Sequence, residues 1–235
     1  MSRLGIIAGS GPEAGVDLWT KILDHTRRLV GPRFRGDLDA PEVTIVSDPL
    51  LGLSMELEQN HHLVWPVLAR AAKRLAPQVD YYAIACNTLN FYQPRLEALR
   101  LDARLVSFVD VLVARLKARG VGRVALLGAR PVTELGPWST YRRLAGEIEL
   151  EPLDPDLVAD LHALIYAVKS EGGGAQGLTR RFGEILDRLE SETVILACTE
   201  LPLIPAPATA KILIDPTDLM ARELVRLSRA AEVIA

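Results

Sequence analysis

Two short stretches of this chain end alike. Residues 83–90 read Ala-Ile-Ala-Cys-Asn-Thr-Leu-Asn, and residues 194–201 read Val-Ile-Leu-Ala-Cys-Thr-Glu-Leu. In each, an apolar run closes on a cysteine followed by a polar pair, and Cys86 and Cys198 are the only cysteines present. A free cysteine is commonly a small buried hydrophobe, and two cysteines can also bridge. Matching positions with hydrogen-bonding residues behind each thiol point instead to chemistry. A thiol where a strand gives way to a helix sits near the positive end of the helix dipole, which lowers its pKa from ~8.5 into the range ~3.5–7.5. N–H groups at the same helix start hold a carboxylate. Asn87, Thr88 and Thr199 add an amide and two hydroxyls to that cradle. Two such thiols on opposite faces of one carbon perform a 1,1-proton transfer: a thiolate removes the Cα proton and a thiol returns one from the other side. The roles exchange in the reverse direction, and donors around the carboxylate stabilise the enediolate-like transition state. This chemistry calls for no cofactor and no metal.

The elements that must position these thiols follow an alternating pattern. Leu4–Gly9, Glu42–Ser47, Asp80–Cys86 and Arg104–Val109 read as strands; helical periodicity follows over Glu13–Leu29, Leu57–Leu75, the Phe91–Arg100 stretch and Val109–Arg119. The pattern then restarts. Gly122–Val132, Glu147–Leu153, Thr193–Thr199 and Ala210–Leu219 read as strands, with helices over Leu157–Glu171, Leu178–Glu190 and Leu219–Ala231. Gly-Ile-Ile-Ala-Gly-Ser-Gly-Pro pairs with Val-Ala-Leu-Leu-Gly-Ala-Arg-Pro, and the two cysteine runs pair with each other; within each half the glycine run and the cysteine run are separated similarly, on the order of 70–80 residues. The expected fold is α/β, with two pseudo-symmetric lobes, each a parallel sheet flanked by helices. The first lobe spans 1–110 plus a C-terminal helix over 218–235, and the second spans 111–217. Ligands of open parallel sheets bind beyond the carboxyl ends of the strands, so both thiols are expected to face a cleft between the lobes.

Composition narrows the classes of function. The chain has 235 residues, 49% hydrophobic, enough for a large core. Its net charge is −3 with acids and bases interspersed, so it lacks the basic stripe that nucleic-acid binding uses. No stretch approaches the ~20 apolar residues of a membrane span, and the start turns quickly to glycine instead of forming a signal peptide. Two cysteines are no disulfide framework and suit a reducing cytoplasm. Composition therefore points to neither nucleic acid nor membrane as a partner; the two-thiol chemistry points to a small-molecule amino acid or carboxylate.

These motifs resemble the aspartate/glutamate racemase family, and within it the aspartate-racemase branch. Gly5–Gly15, Gly-Ile-Ile-Ala-Gly-Ser-Gly-Pro-Glu-Ala-Gly, is similar to the family's opening glycine-rich loop; Ala85–Thr88 and Ala197–Ile204 are similar to its two cysteine motifs. The resemblance implies a cofactor-independent, two-lobed enzyme, commonly a homodimer, with Cys86 and Cys198 as the proton-transfer pair and an acidic amino acid as substrate. It also implies that Lys169 binds the substrate's side-chain carboxylate; a solvated cation closing a helix is its plainer role. Ser10, Thr133 and Glu200 join the candidate site, with Glu200 placed to hold the substrate ammonium. The side-chain pocket departs from the family pattern. Leu51 stands where the pattern has a carboxylate-binding arginine, Asp48 nearby would repel a carboxylate, and Leu89-Asn90 replaces Ala-His. Arg130 is a substitute cation within Gly128–Thr133, where Thr133 sits one place late. Two alternatives stay open: a hydantoin-racemase-like or maleate-isomerase-like member, and a non-catalytic two-lobed binding protein.

Other motifs take plainer readings. The glycines from Gly9 to Gly15 fit a loose dinucleotide pattern, but Pro12 removes an N–H that a pyrophosphate would use. His61 and His62 are adjacent and cannot share a helix face as metal ligands. His25 and His162 read as isolated helix residues. Gly172-Gly173-Gly174 reads as a helix stop, and Trp65 and Trp138 as core or interface residues.

Overall fold

The computed structural model describes residues 1–230. In chain order the elements are β1 (Leu4–Ala8), α1 (Pro12–Val30), β2 (Val43–Ser47), α2 (Leu57–Leu75), β3 (Tyr81–Ile84), α3 (Gln93–Glu97), β4 (Arg104–Leu105), α4 (Phe108–Ala118) and β5 (Arg123–Gly128). After these come α5 (Arg130–Thr133), α6 (Arg142–Ala145), β6 (Glu149–Leu150), α7 (Pro155–Glu171), α8 (Leu178–Asp187), β7 (Thr193–Ala197), β8 (Ile212–Ile214) and α9 (Pro216–Ser228). They build two four-stranded parallel sheets, ordered β2-β1-β3-β4 and β6-β5-β7-β8. The two orders are the same permutation, so the sequence repeat is a repeat of topology. Strands β1 and β7 are buried along their whole length, as continuous apolar runs in the middle of parallel sheets must be.

Each sheet carries helices on both faces. Leu18 and Ile22 of α1 and Met220, Ala221, Leu224 and Val225 of α9 pack with Leu4, Ile6 and Ala8 on one face of the first sheet. Val64, Leu68, Ala72 and Leu75 of α2 cover the other with Ile7, Tyr82 and Ile84. In the second lobe, α7 and α8 supply Leu161, Ile165, Phe182 and Ile185 to one face, while α4 and α6 supply Leu112, Leu116 and Leu144 to the other. Phe108 of α4 packs in the first lobe and Val109 in the second, so the connecting helix is shared. The helices start where the sequence provides a cap. Asp154 accepts from the N–H groups of Asp156 and Leu157 and is followed by Pro155; Asp215 accepts from Thr217 N–H and is followed by Pro216.

The structure corrects several boundaries. The strands expected at 104–109 and 147–153 shrink to residue pairs. The helix expected over Phe91–Arg100 is a 3-10 segment, Thr88–Tyr92, followed by the five-residue α3. Pro94 lacks the N–H needed to continue a helix through it, so the α-helix starts at that point. After Cys198 only the 3-10 turn Leu201–Leu203 forms, since Pro202 and Pro205 block anything longer. Neither thiol therefore stands at the start of a long helix, and the dipole argument for lowering its pKa loses its footing. The described part of the last helix ends at Ser228; Ala231 and the rest of the 231–235 stretch lie outside the described residues. Among the described residues no helix is long and apolar enough to cross a membrane.

Because α9 closes the face of the first sheet, truncating its buried Leu224 to alanine is expected to cost about 2–5 kcal/mol. Urea denaturation checks this; a loss under about 1 kcal/mol would mean that α9 is peripheral to that core.

Candidate active site

Four loops at the carboxyl ends of the central strands converge. β1 runs into Gly9-Ser10-Gly11, β3 into Cys86-Asn87, β5 into Ala129, and β7 into Cys198-Thr199-Glu200. Cys86 and Cys198 are each 6% exposed and are free thiols, and Ser10, Asn87, Thr88, Thr199 and Glu200 are all buried with them. A continuous chain of polar contacts links the two sulfurs. Cys86 Sγ lies 3.3 Å from Ser10 Oγ; the Ser10 carbonyl accepts from Lys169 Nζ at 3.3 Å. Lys169 forms an ion pair with Glu200 Oε1, and Glu200 Oε2 accepts the Cys198 S–H at 2.9 Å. Ser10 and Cys86 come from the first lobe, and the other three from the second. Lys169 reaches the site from the last turn of α7, which Gly172 stops with φ 83°.

The site's own packing requires a glycine at position 11. Gly11 has φ 104°, and a Cβ there would lie 2.1 Å from Glu200 Oε1 and 3.3 Å from Lys169 Nζ. A Cβ on Gly173 would meet the Leu203 carbonyl oxygen at 2.3 Å, so the glycine run after α7 lets that loop press on the turn behind Glu200.

The two thiols sit in unlike surroundings. Burial, and then the Glu200 carboxylate, push the Cys198 thiol well above its ordinary range, and the Lys169 ammonium opposes this without winning. The expectation of a lowered pKa is thus reversed for Cys198. Burial works against the Lys169 charge, yet the Glu200 carboxylate, aided by Cys198, holds its pKa above the ordinary value. Around Cys86 the neighbours are hydroxyls: Ser10 Oγ and Ser54 Oγ are 2.6 Å apart, and Ser54 Oγ is 3.9 Å from the sulfur. Ser54 escaped the sequence reading; its one signal is a hydroxyl residue within the mostly apolar stretch Leu50–Leu57, and the structure buries it. Tyr141 also escaped it. It is fully buried, its hydroxyl donates to Asn87 Oδ1, and burial together with the charges of Cys198 and Cys86 raises its pKa.

The remaining candidates separate. Thr199 Oγ1 is 3.5 Å from the Ala85 carbonyl oxygen and 3.4 Å from Glu200 Oε2, which ties the second motif to the strand end of the first. Thr88 is buried at the start of its 3-10 segment. The Thr133 hydroxyl points back to the carbonyls of Ala129 and Arg130 on its own helix and takes no part in the polar chain. Arg130 lies on the surface beside Glu134 at 3.7 Å. Leu51 is buried in the core under α2. Asp48 caps Leu50 N–H and pairs with Arg70, so its charge is engaged away from the thiols. His25 and His162 are not isolated: they meet Asp218 at 2.8 Å and Glu56 at 3.1 Å. His61 stacks on Trp138 with ring centroids 4.9 Å apart, and Trp65 lies beneath Arg95. Among the described residues no group of three or more His, Cys, Asp or Glu is placed to hold a metal ion.

Two outcomes test the Cys198 environment. Glu200→Gln removes the carboxylate and leaves the Lys169 charge facing the sulfur. Alkylation of Cys198 by iodoacetamide, followed by peptide mass mapping, is then expected to set in at lower pH than in the wild type; an unchanged pH onset would refute the Glu200 effect. Native Cys198 also keeps a proton that the unfolded chain releases around the ordinary thiol value of 9.0. Its stabilising contribution is full below that value and is lost as pH rises through the higher native value. Urea midpoints should therefore fall above about pH 9, less steeply in Cys198→Ser, whose side chain does not titrate.

Comparison with known proteins agrees with this layout. Residues 7–224 match the profile of the Asp/Glu/hydantoin racemase family. The broad specificity amino-acid racemase RacX of Bacillus subtilis (strain 168) is 22% identical over 226 residues, covering 94% of this chain and 96% of RacX. The aspartate racemase of Picrophilus torridus superposes with a TM-score of 0.79 at 23% identity, covering 96% of this chain and 94% of that one. An aspartate racemase homologue from Pyrococcus horikoshii OT3 gives 0.74 at 23% identity, covering 97% and 99%. With two lobes of one topology, a buried thiol at the end of the third strand of each, and a family match over nearly its whole length, this chain belongs to the Asp/Glu/hydantoin racemase family of isomerases.

Proposed function

We propose that the protein is a cofactor-independent amino-acid racemase in which Cys86 and Cys198 carry out a 1,1-proton transfer at Cα. The observation that carries this reading is the polar chain Cys86–Ser10–Lys169–Glu200–Cys198, which brings both thiols into one buried site without committing either to a disulfide. One thiolate takes the Cα proton, the carbanion is held as its enediolate, and the opposite thiol gives its proton to the other face. One proton leaves and one arrives, so the substrate's composition and charge are unchanged. Cys198, whose proton is held against Glu200, serves as the acid when Cys86 is the base. Asn87, Thr88 and Thr199 hold the α-carboxylate, and hydrogen bonds that shorten as charge builds on it stabilise the transition state.

The substrate reading turns on the Lys169–Glu200 pair. A zwitterion entering this site can part the two, giving its ammonium to Glu200 and a carboxylate to Lys169. An acidic amino acid, aspartate or glutamate, fits if that carboxylate is the distal one. A second reading, amino acids with uncharged side chains, is favoured by two observations. Lys169 is already neutralised by Glu200, and Leu51 is buried in the core. The name of RacX describes a broad specificity, which supports the second reading.

The same proposal includes two moving lobes, 1–110 with 218–235 and 111–217, a cytoplasmic location and a homodimer. The closed site supports the first, the free thiols the second and the family resemblance the third; sedimentation checks the dimer. Cα proton exchange in D₂O, followed by NMR on L- and D-amino acids, tests the reaction. Wild-type protein is expected to exchange and racemise, and Cys86→Ser and Cys198→Ser to lose racemisation by at least about 10²-fold. No exchange on any amino acid, or racemisation that survives both substitutions, would overturn the reading.

A further inference from the structure

Asn87 presents an unbalanced amide. Its side chain is buried, its Oδ1 accepts the Tyr141 hydroxyl, and its Nδ2 has no acceptor among the described residues. Leaving buried amide N–H groups unpaired costs about 1–3 kcal/mol. Buried polar groups are nearly always paired, and among the orphans of the described residues Asn87 is the one that adjoins a buried thiol. The partner must be an acceptor, since Nδ2 has only protons to give. Asn87 adjoins Cys86, in a site that also holds the partly buried Lys169, so a carboxylate is the acceptor that fits.

An asparagine amide can turn over and exchange its oxygen for its NH₂, so donor presentation has to be enforced from outside. Tyr141 is built to enforce it. Its ring is packed in the second lobe's core with Leu144, Val132 and Leu112. Its backbone N–H donates to Ser139 Oγ at 3.2 Å, and that hydroxyl donates to the Val132 carbonyl at 3.0 Å. The phenol is thus held by one lobe while Asn87 belongs to the other. Burial above all raises the phenol's pKa above its ordinary value, so it remains a donor at neutral pH. A donor fixed against Oδ1 leaves only one amide orientation, with NH₂ turned away from Tyr141.

We propose that Tyr141 is a positioning residue: its hydroxyl, reaching across the cleft, locks the Asn87 amide so that its NH₂ receives the carboxylate of the bound amino acid. This rests on the amino-acid reading of the site for the identity of the ligand, but not for the amide lock itself. Opening the lobes breaks the bond and releases the amide, so the carboxylate grip is complete only in the closed protein.

The test reads the Asn87 side-chain NH₂ pair in ¹⁵N-labelled protein, identified by its absence from Asn87→Ser. Sodium acetate is the probe, with D- and L-alanine as amino acids. In the wild type the pair is expected to move on adding acetate. In Tyr141→Phe, which keeps the ring in the core, the response should vanish and KM should rise about tenfold, with kcat changed less. A wild-type amide pair that ignores acetate overturns the proposal, even if Tyr141→Phe does not fold. So does a folded Tyr141→Phe with wild-type KM and amide response. If the wild type exchanges no Cα proton on any amino acid, the racemase reading falls, while the acetate response still judges the lock.

Discussion

The site depends on one ion pair, between the partly buried Lys169 and the buried Glu200. Taking the Lys169 ammonium and the Glu200 carboxylate out of water costs several kcal/mol per ion, which their attraction offsets only if the remaining hydrogen-bonding capacity is used. It is used here: Glu200 also accepts from Cys198 and faces the Thr199 hydroxyl, and Lys169 also donates to the Ser10 carbonyl. That last contact joins the lobes, since Lys169 hangs from α7 and Ser10 ends the first strand. The pair needs its neighbours to come very close. Gly11 has no Cβ because one would strike Glu200, and Gly173 has none because one would strike the turn behind it.

The pair also makes the two thiols chemically different despite their near-identical sequence settings. Cys198 faces a carboxylate that takes its proton in a hydrogen bond; Cys86 faces two hydroxyls that both give and accept. A racemase gains nothing at equilibrium from such asymmetry, because two enantiomers have equal free energy. What the asymmetry does is local to Cys198: burial and the Glu200 carboxylate raise its pKa and hold its proton in place.

Closure around the site is reciprocal. Met55, from the segment before α2, is buried in the second lobe's core, while Trp138, from the loop before α6, packs into the first lobe beside Phe91 and His61. Glu56 meets His162 and Tyr166 of α7. Each lobe thus inserts a side chain into the other, and α4 and α9 connect them from behind. Both thiols are nearly inaccessible in this closed arrangement.

Local sequence determined a good deal. Continuous apolar runs specified the buried parallel strands, Pro and Asp placed the starts of α7 and α9, and the paired motifs around Cys86 and Cys198 specified two lobes with equivalent thiols. These features are written in contiguous residues, because strand burial and helix capping act over a few positions. The segments just after each thiol were less legible: only 3-10 turns form there, which removes the dipole argument, and at Cys198 burial and Glu200 raise the pKa instead. The partners of the thiols were legible only in part. Ser10, Lys169 and Glu200 stood among the candidates, but Lys169 meets Ser10 across 159 residues, a pairing the sequence did not show. Ser54 and Tyr141, which meet Cys86 and Asn87 across 32 and 54 residues, were missed. Nothing in the residues themselves distinguishes Thr133, bonded to its own helix, from Ser10, bonded into the site. Only the packing of two lobes against each other decided which polar groups lost their water, and losing water is what makes a neighbour's charge strong enough to set a proton's place.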